Sequence, residues 1–233
     1  MKTATLSLFL TAGAASARLL ESRTSGVQGF DISGYQSTVD FSGAYNAGAR
    51  FVMIKATEGT TYIDSSFSSH YEGATDAGLI RGGYHFAHPD SSSGATQAEY
   101  FLAHGGGWTN DGQTLPGMLD IEYNPSGSTC YGLSEAAMVS WVQDFGETYN
   151  SKTGRYPMIY TTADWWNTCT GGSTAFGADY PLVLAQYATS ISTIPGGWSY
   201  QSFWQNSDSY SYGGDSDLWN GSEANLKTFA KGS

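Results

Sequence analysis

Short apolar segments recur along this chain, and most are followed by a polar stretch that can form a helix. A strand whose residues are nearly all apolar is buried on both faces, which requires helices packed over a mostly parallel sheet. The alternation therefore predicts an α/β fold, with the sheet either closed into a barrel or left open. Strands are expected at Val27–Ile32, Phe51–Ala56, Gly83–Ala87, Met118–Glu122, Met158–Thr161, Leu182–Tyr187 and Ser202–Gln205. Helices are expected at Tyr45–Ala47 before Gly48, from Ser66 to Ala77 before Gly78, from Thr96 to His104 before Gly105, and from Ser134 to Tyr149. Glycine accepts the left-handed conformation that closes a helix, and Ser134 stands at a capping position. Met138, Val139, Val142 and Phe145 then follow at helical spacing. After Pro181 strand signals continue while helical ones thin out, so any barrel is expected to be irregular there.

The chain has 233 residues, a length that one barrel domain commonly occupies, and no low-complexity linker divides it. Lys2, the apolar stretch Leu6–Leu10 and Ala15-Ser16-Ala17 give Met1–Ala17 the order of a secretory signal with a small-residue cleavage site. Residues 18–25 form either a pro-segment or a loose N-terminus, and residues 26–233 are expected to form the barrel. No later apolar run approaches the roughly 20 residues needed to cross a bilayer, so an exported, soluble protein is expected, with no membrane partner. Cys130 and Cys169 are the only cysteines. In an exported chain their pairing with each other is favoured over a zinc site, whose four-ligand spacing is missing. Asn220-Gly221-Ser222 is the one acceptable glycosylation sequon, since Pro125 follows Asn124.

The formal net charge is −11 and the few Lys and Arg are scattered, which argues against nucleic acid or any other phosphate-rich partner. Tyrosine and tryptophan are abundant, with 16 and 7 copies, and flat aromatic faces beside carboxylates suit a neutral sugar. Many of these rings also serve as core in any β-rich domain. Trp165 and Trp166 are placed either to stack on sugar or to fill space beside Cys169. The four histidines include no compact His-x-x-x-His pair, so neither a catalytic metal nor another cofactor is expected.

In a parallel barrel the functional side chains gather where strands end and their loops form the mouth. Asp31 falls at the first such end, Lys55 and Glu58 at the second, Tyr84 and His85 at the third, and Asp120 and Glu122 at the fourth. Tyr160, then Gln186 and Tyr187, then Trp204 and Gln205, then Asp215 and Asp217 continue the series. Buried unpaired charge is costly, so carboxylates at several strand ends point to function rather than folding. Asp120 and Glu122 carry the sharpest signal. Strand residues two apart share a face about 6.5–7 Å apart, and two unlike carboxyl groups at that range are what glycoside hydrolysis needs.

The segments Gly29-Phe30-Asp31-Ile32-Ser33, Lys55-Ala56-Thr57-Glu58-Gly59, Ala77-Gly78-Leu79, Gly83-Tyr84-His85-Phe86, Leu119-Asp120-Ile121-Glu122, Ile159-Tyr160-Thr161, Trp204-Gln205 and Ser216-Asp217-Leu218 resemble, in order and spacing, glycoside hydrolase family 25. These are the Ch-type lysozymes, or N-acetylmuramidases. The resemblance implies a single-domain, flattened and irregular TIM-like β/α barrel that hydrolyses the β-1,4 bond between N-acetylmuramic acid and N-acetylglucosamine in bacterial peptidoglycan. It implies Glu122 as the general acid and Asp120 as its partner, acting as nucleophile or stabiliser or by holding a substrate N-acetyl group that attacks. Asp31 and Asp217 match further acidic site residues, with Asp215 as their neighbour. Tyr62, Tyr84, His85, Tyr160, Gln186 and Trp204 are expected to bind sugar, and a monomer is the default. A chitinase-type reading expects an acid where Met118 stands, and an inactive binding homologue expects loss of Glu122.

Overall fold

The computed structural model describes residues 26–232, so the leader expected at Met1–Ala17 and the segment expected at 18–25 lie outside the described residues. Among these, nine strands are β1 Val27–Ile32, β2 Phe51–Glu58, β3 Tyr62–Ile63, β4 Ile80–Phe86, β5 Met118–Asp120, β6 Met158–Thr161, β7 Leu182–Ala185, β8 Phe203–Ser207 and β9 Asp215–Trp219. The helices are α1 Phe41–Asn46, α2 Phe67–Asp76, α3 Gly94–Ala103, α4 Glu135–Thr153, α5 Ala163–Thr170 and α6 Glu223–Lys231.

Eight strands close a ring in the order β1-β9-β8-β7-β6-β5-β4-β2, sealed by parallel pairing of β1 with β2. The two-residue β3 folds back antiparallel on the end of β2. All ring neighbours are parallel except β9, which runs antiparallel to both β8 and β1. This reversed strand is the irregularity expected after Pro181, and its direction was not foreseen.

Side chains alternate across each strand, and the alternation sorts the core into layers. Phe51 and Met53 of β2, Met118 of β5, Met158 of β6, Val183 of β7, Phe203 of β8 and Trp219 of β9 pack together inside the barrel, with Leu226 and Ala230 of α6. Gly29 is required on this inner face because a Cβ there would lie 2.4 Å from the Phe51 ring. The opposite parity faces the helices. Phe30, Ile32, Val52 and Ile54 meet Phe41, Ala44 and Ala74 of α1 and α2, while Leu119, Ile121, Ile159 and Leu184 meet α3, α4 and α5.

Ser134 caps α4 by accepting from the Ala137 N–H, and Gly154, at φ 77°, closes it. Removing a ring such as Phe145, which is fully buried between α4 and α3, is expected to cost about 3–5 kcal/mol. From the same helix the Tyr149 hydroxyl donates to Gly106 O at 2.8 Å and accepts from Gly117 N–H at 2.7 Å, fixing the approach to β5.

Two helices escaped the sequence reading. In α5 the caps Thr162 and Gly171 are conventional, but its Trp165 and Trp166 are weak helix formers. Both rings are completely buried beside Cys169, which resolves their alternatives in favour of core. In α6 the cap is Ser222, which accepts from Asn225 N–H and lies within the sequon. Cys130 and Cys169 form a disulfide.

Candidate active site

The inner parity that buries apolar rings deep in the barrel presents polar groups at its mouth. One step beyond Phe51 and Met53 comes Lys55; beyond Met118 comes Asp120; beyond Met158 comes Tyr160; beyond Phe203 comes Gln205. With Asp31, Tyr84, Glu122, Asp215 and Met118 they line a cavity of about 260 Å³. The reversed β9 enters the ring at the mouth, so its first residue, Asp215, reaches the cavity. Gly214 makes this entry possible: its φ is +71°, and a Cβ there would sit 1.8 Å from Asp31 O.

β5 ends at Asp120, two residues earlier than expected, and Glu122 sits in the following loop. The alternation nevertheless continues. Ile121 is fully buried against the helices, and both acids face the cavity.

The carboxyls are held in unequal states. Burial, then Glu122, raises Asp120 well above the usual carboxylate range, and its Oδ1 has no partner among the described residues. Burial, then Asp215, raises Glu122, against the pull of Lys55. Burial and Asp215 push Asp31 up to about 7, while Gln205 and Asp217 draw it back. Asp217 lies below the cavity rather than on its wall, 3 % exposed, hydrogen-bonded to Asp31 and raised well above the ordinary range by burial. Lys55 donates to Glu58 at 2.6 Å and lies 5.2 Å from the Phe86 ring centre and 5.4 Å from that of Tyr62. Glu58 also pairs with His88 at 2.8 Å.

Two further depressions share walls with the central one. On one side Ser33, Tyr35 and Lys55 lead to Tyr62 and Asp64; on the other Glu122 and Tyr160 lead to Gln186 and Tyr187. Together they make an elongated groove with the carboxyls at its centre. Asp64 ties the first side together, accepting from Gly34 N–H at 2.7 Å and Ser66 N–H at 2.9 Å.

Two expected sugar-binding residues are elsewhere. His85 follows Tyr84 by one position and so faces the helices, fully buried, with contacts of 2.8 Å to Thr57 and 2.9 Å to Gln97. Burial lowers it to about 4, so it is a neutral structural group. Trp204, between Phe203 and Gln205, likewise faces outward, and its indole donates to Gln186 O at 2.8 Å. The groove also holds residues outside the expected site, among them Gln205, Tyr187 and Tyr35. Gln205 and Tyr187 were recognisable as strand-end residues, and counting alternate positions from Phe203 selects Gln205 over Trp204. Tyr35, 94 % exposed in the β1–α1 loop, carries no sequence signal beyond its proximity to Asp31.

The model of Glycosyl hydrolases family 25 matches residues 30–215. An N,O-diacetylmuramidase of Chalaropsis sp is 61 % identical over 210 residues, covering 88 % of this chain and all of that protein. One from Arthroderma benhamiae is 58 % identical over the whole of both chains. Among solved structures, a family GH25 lysozyme from Aspergillus fumigatus superposes with a TM-score of 0.87 at 61 % identity, covering 88 % of this chain and 99 % of that one. Family-wide matching of sequence and fold, with paired carboxyls at the barrel mouth, leads to one conclusion: the chain belongs to glycosyl hydrolases family 25 and is a glycoside hydrolase.

Proposed function

We propose that this protein is a secreted lysozyme that cleaves the β-1,4 bond between N-acetylmuramic acid and N-acetylglucosamine in bacterial peptidoglycan. The observation that carries the chemistry is the pair Asp120 and Glu122 facing one cavity that shares walls with two neighbouring depressions. The muramidase names of relatives about 60 % identical over nearly the whole mature length support the substrate.

Glu122 is the general acid. Its raised carboxyl retains a proton toward neutral pH and delivers it to the departing glycosidic oxygen. Asp120 is the second carboxyl, set against the positive charge that develops at the sugar carbon, either directly or through the substrate N-acetyl group. Asp31 and Asp215 line the same cavity, Asp217 is buried beside Asp31, and Lys55 limits how far the two central acids rise. Tyr62, Tyr84, Tyr160, Gln186 and Tyr187 line the groove and contact the glycan. Met118 provides an apolar floor where a chitinase-type site would carry an acid.

Export follows from the leader at Met1–Ala17, with 26–233 as the catalytic domain acting as a monomer and without a cofactor. The disulfide suits an oxidising compartment. No helix among the described residues is long and apolar enough to cross a membrane. The test is digestion of purified peptidoglycan by the native protein and by Glu122→Gln, followed by reduction and mass spectrometry of the soluble fragments. Muramitol ends from the native protein alone are expected; glucosaminitol ends, or equal release by the variant, overturn the assignment.

A further inference from the structure

Four hydrogen bonds converge on the side-chain amide of Gln205. The Tyr160 and Tyr187 hydroxyls each donate to its Oε1 at 2.9 Å. Its Nε2 donates to Asp31 Oδ2 at 2.7 Å and to Asp215 Oδ2 at 3.3 Å. A primary amide has two N–H donors and one oxygen with two lone pairs, so the network uses its entire capacity. The nitrogen faces the carboxylates, which accept, and the oxygen faces the phenols, which can donate, so every member of the network has a partner. Gln205 is 2 % exposed, and a half-filled network at that depth is costly.

We propose that Gln205, oriented by Tyr160 and Tyr187, is a positioning residue that holds Asp31 and Asp215 together and favours their ionised forms, and that charge on Asp215 keeps the proton on Glu122. Asp215 is the charge that acts most strongly on Glu122, so whatever favours ionised Asp215 favours protonated Glu122. Asp120, by contrast, receives no donor on its Oδ1. The amide thus pulls Asp31 and Asp215 toward their charged forms against burial, and gives Asp120 no such help. Other charged groups facing this cluster are Asp217 beside Asp31, Asp208 beside Asp215, Asp120 beside Glu122, and Lys55 opposite them. Lys55 is the one cation among these, and it draws Asp120 and Glu122 down rather than the Asp31–Asp215 pair. The geometry stands alone; its catalytic consequence rests on the lysozyme reading above.

Gln205→Met keeps the length of the side chain and removes all four bonds. Tyr187→Phe removes one donor from a half-exposed ring and leaves the core intact. Two readouts are taken on both variants and the native protein: kcat/KM against pH on peptidoglycan, and the titration of the Asp31 carboxyl followed by ¹³C NMR. In Gln205→Met the bell-shaped profile is expected to narrow from its acid side, because the anionic pair protonates earlier, while the alkaline limb, set by Glu122 beside ionised Asp215, stays in place. Its acid limb rises by about one pH unit, and kcat falls about 10²-fold while KM changes little. Tyr187→Phe moves the same way by less, and the Asp31 midpoint rises in both. An unchanged profile shape together with an unchanged Asp31 midpoint overturns the proposal, even if activity drops. Should Gln205→Met not fold, Tyr187→Phe decides by the same criteria. A native protein inert toward peptidoglycan removes the catalytic consequence, while the Asp31 titration still decides the positioning.

Discussion

Asp31 of β1 and Asp215 of β9 stand directly opposite one another in an antiparallel ladder, a pairing in which like charges repel. Burial first, and like-charge crowding second, raises the carboxyls of the site. Asp31 is pushed up to about 7, and Asp120, Glu122, Asp215 and Asp217 are displaced in the same direction. From the ordinary carboxyl range up to about pH 7 the folded chain therefore binds more protons than the unfolded chain, and stability falls as pH rises through that window.

At lower pH the balance reverses, because Asp111, held down at about 2 by hydrogen bonds, and the lowered Glu58 and Glu223 lose stabilisation as they protonate. Calorimetry should thus show a maximal transition temperature near pH 4–5 and a decline toward pH 8. Asp31→Asn removes one ionisable member while its amide oxygen can still accept from Gln205. It is expected to gain about 1–2 kcal/mol, or a few degrees, at pH 8 and to lose activity. A native transition temperature higher at pH 8 than at pH 5 contradicts this account.

Lys55 is the cation that draws down both Asp120 and Glu122. Replacing it by Met keeps the stem against Phe86 and removes the charge. Both acids should then titrate higher, so the whole pH–rate profile moves toward alkaline pH by up to about one unit. Rates measured across pH 4–8 on peptidoglycan check this, and a move toward acid pH counts against it.

The barrel and its carboxyls were legible in the sequence because both follow simple periodicities. Apolar runs identified β1, β2 and β5–β8, and strand ends gave Asp31, Lys55, Tyr84, Asp120 and Tyr160. What failed was parity. His85 and Trp204 occupy strand ends but face outward, and the sequence shows which parity is internal only after neighbouring strands are set in register. β9 was missed as a strand because Asp215-Ser216-Asp217 carries two acids in a five-residue element, a composition that tertiary context alone makes a strand. Gln205 was passed over because its importance comes from four partners on four separate segments.

Tyr62 and Trp204 lie on opposite sides of this division between groove and outer face. Tyr62, 45 % exposed at one end of the groove, is expected to lose glycan contact in Tyr62→Ala, raising KM several-fold with little change in kcat. Trp204→Phe, on the far side of β8, should leave kcat and KM within about twofold while lowering thermal stability through the lost bond to Gln186. Steady-state kinetics on soluble peptidoglycan fragments compare the two. A large KM effect at Trp204 and none at Tyr62 contradicts the assignment of the groove.

The loop that carries Glu122 runs to Ser134 without regular secondary structure, and three links fasten it to α5. Tyr123 donates to Asp164 at 2.7 Å, Trp165 donates to Thr129 O at 3.1 Å, and Cys130 is bonded to Cys169. The disulfide closes a sequence separation of 39 residues, for which chain entropy alone gives at most about 4 kcal/mol. Replacing both cysteines by Ala is expected to lower the transition temperature by on the order of 10 °C. The other two links persist, and Ile121 remains packed under the first turn of the loop. Peptidoglycan cleavage at 25 °C should therefore fall by no more than about threefold, because the link removed stabilises the loop against unfolding rather than aiming Glu122. Calorimetry and digestion rates on the same preparation separate the two effects: a collapse of activity at a temperature where the variant is fully folded assigns the disulfide a direct part in placing the acid.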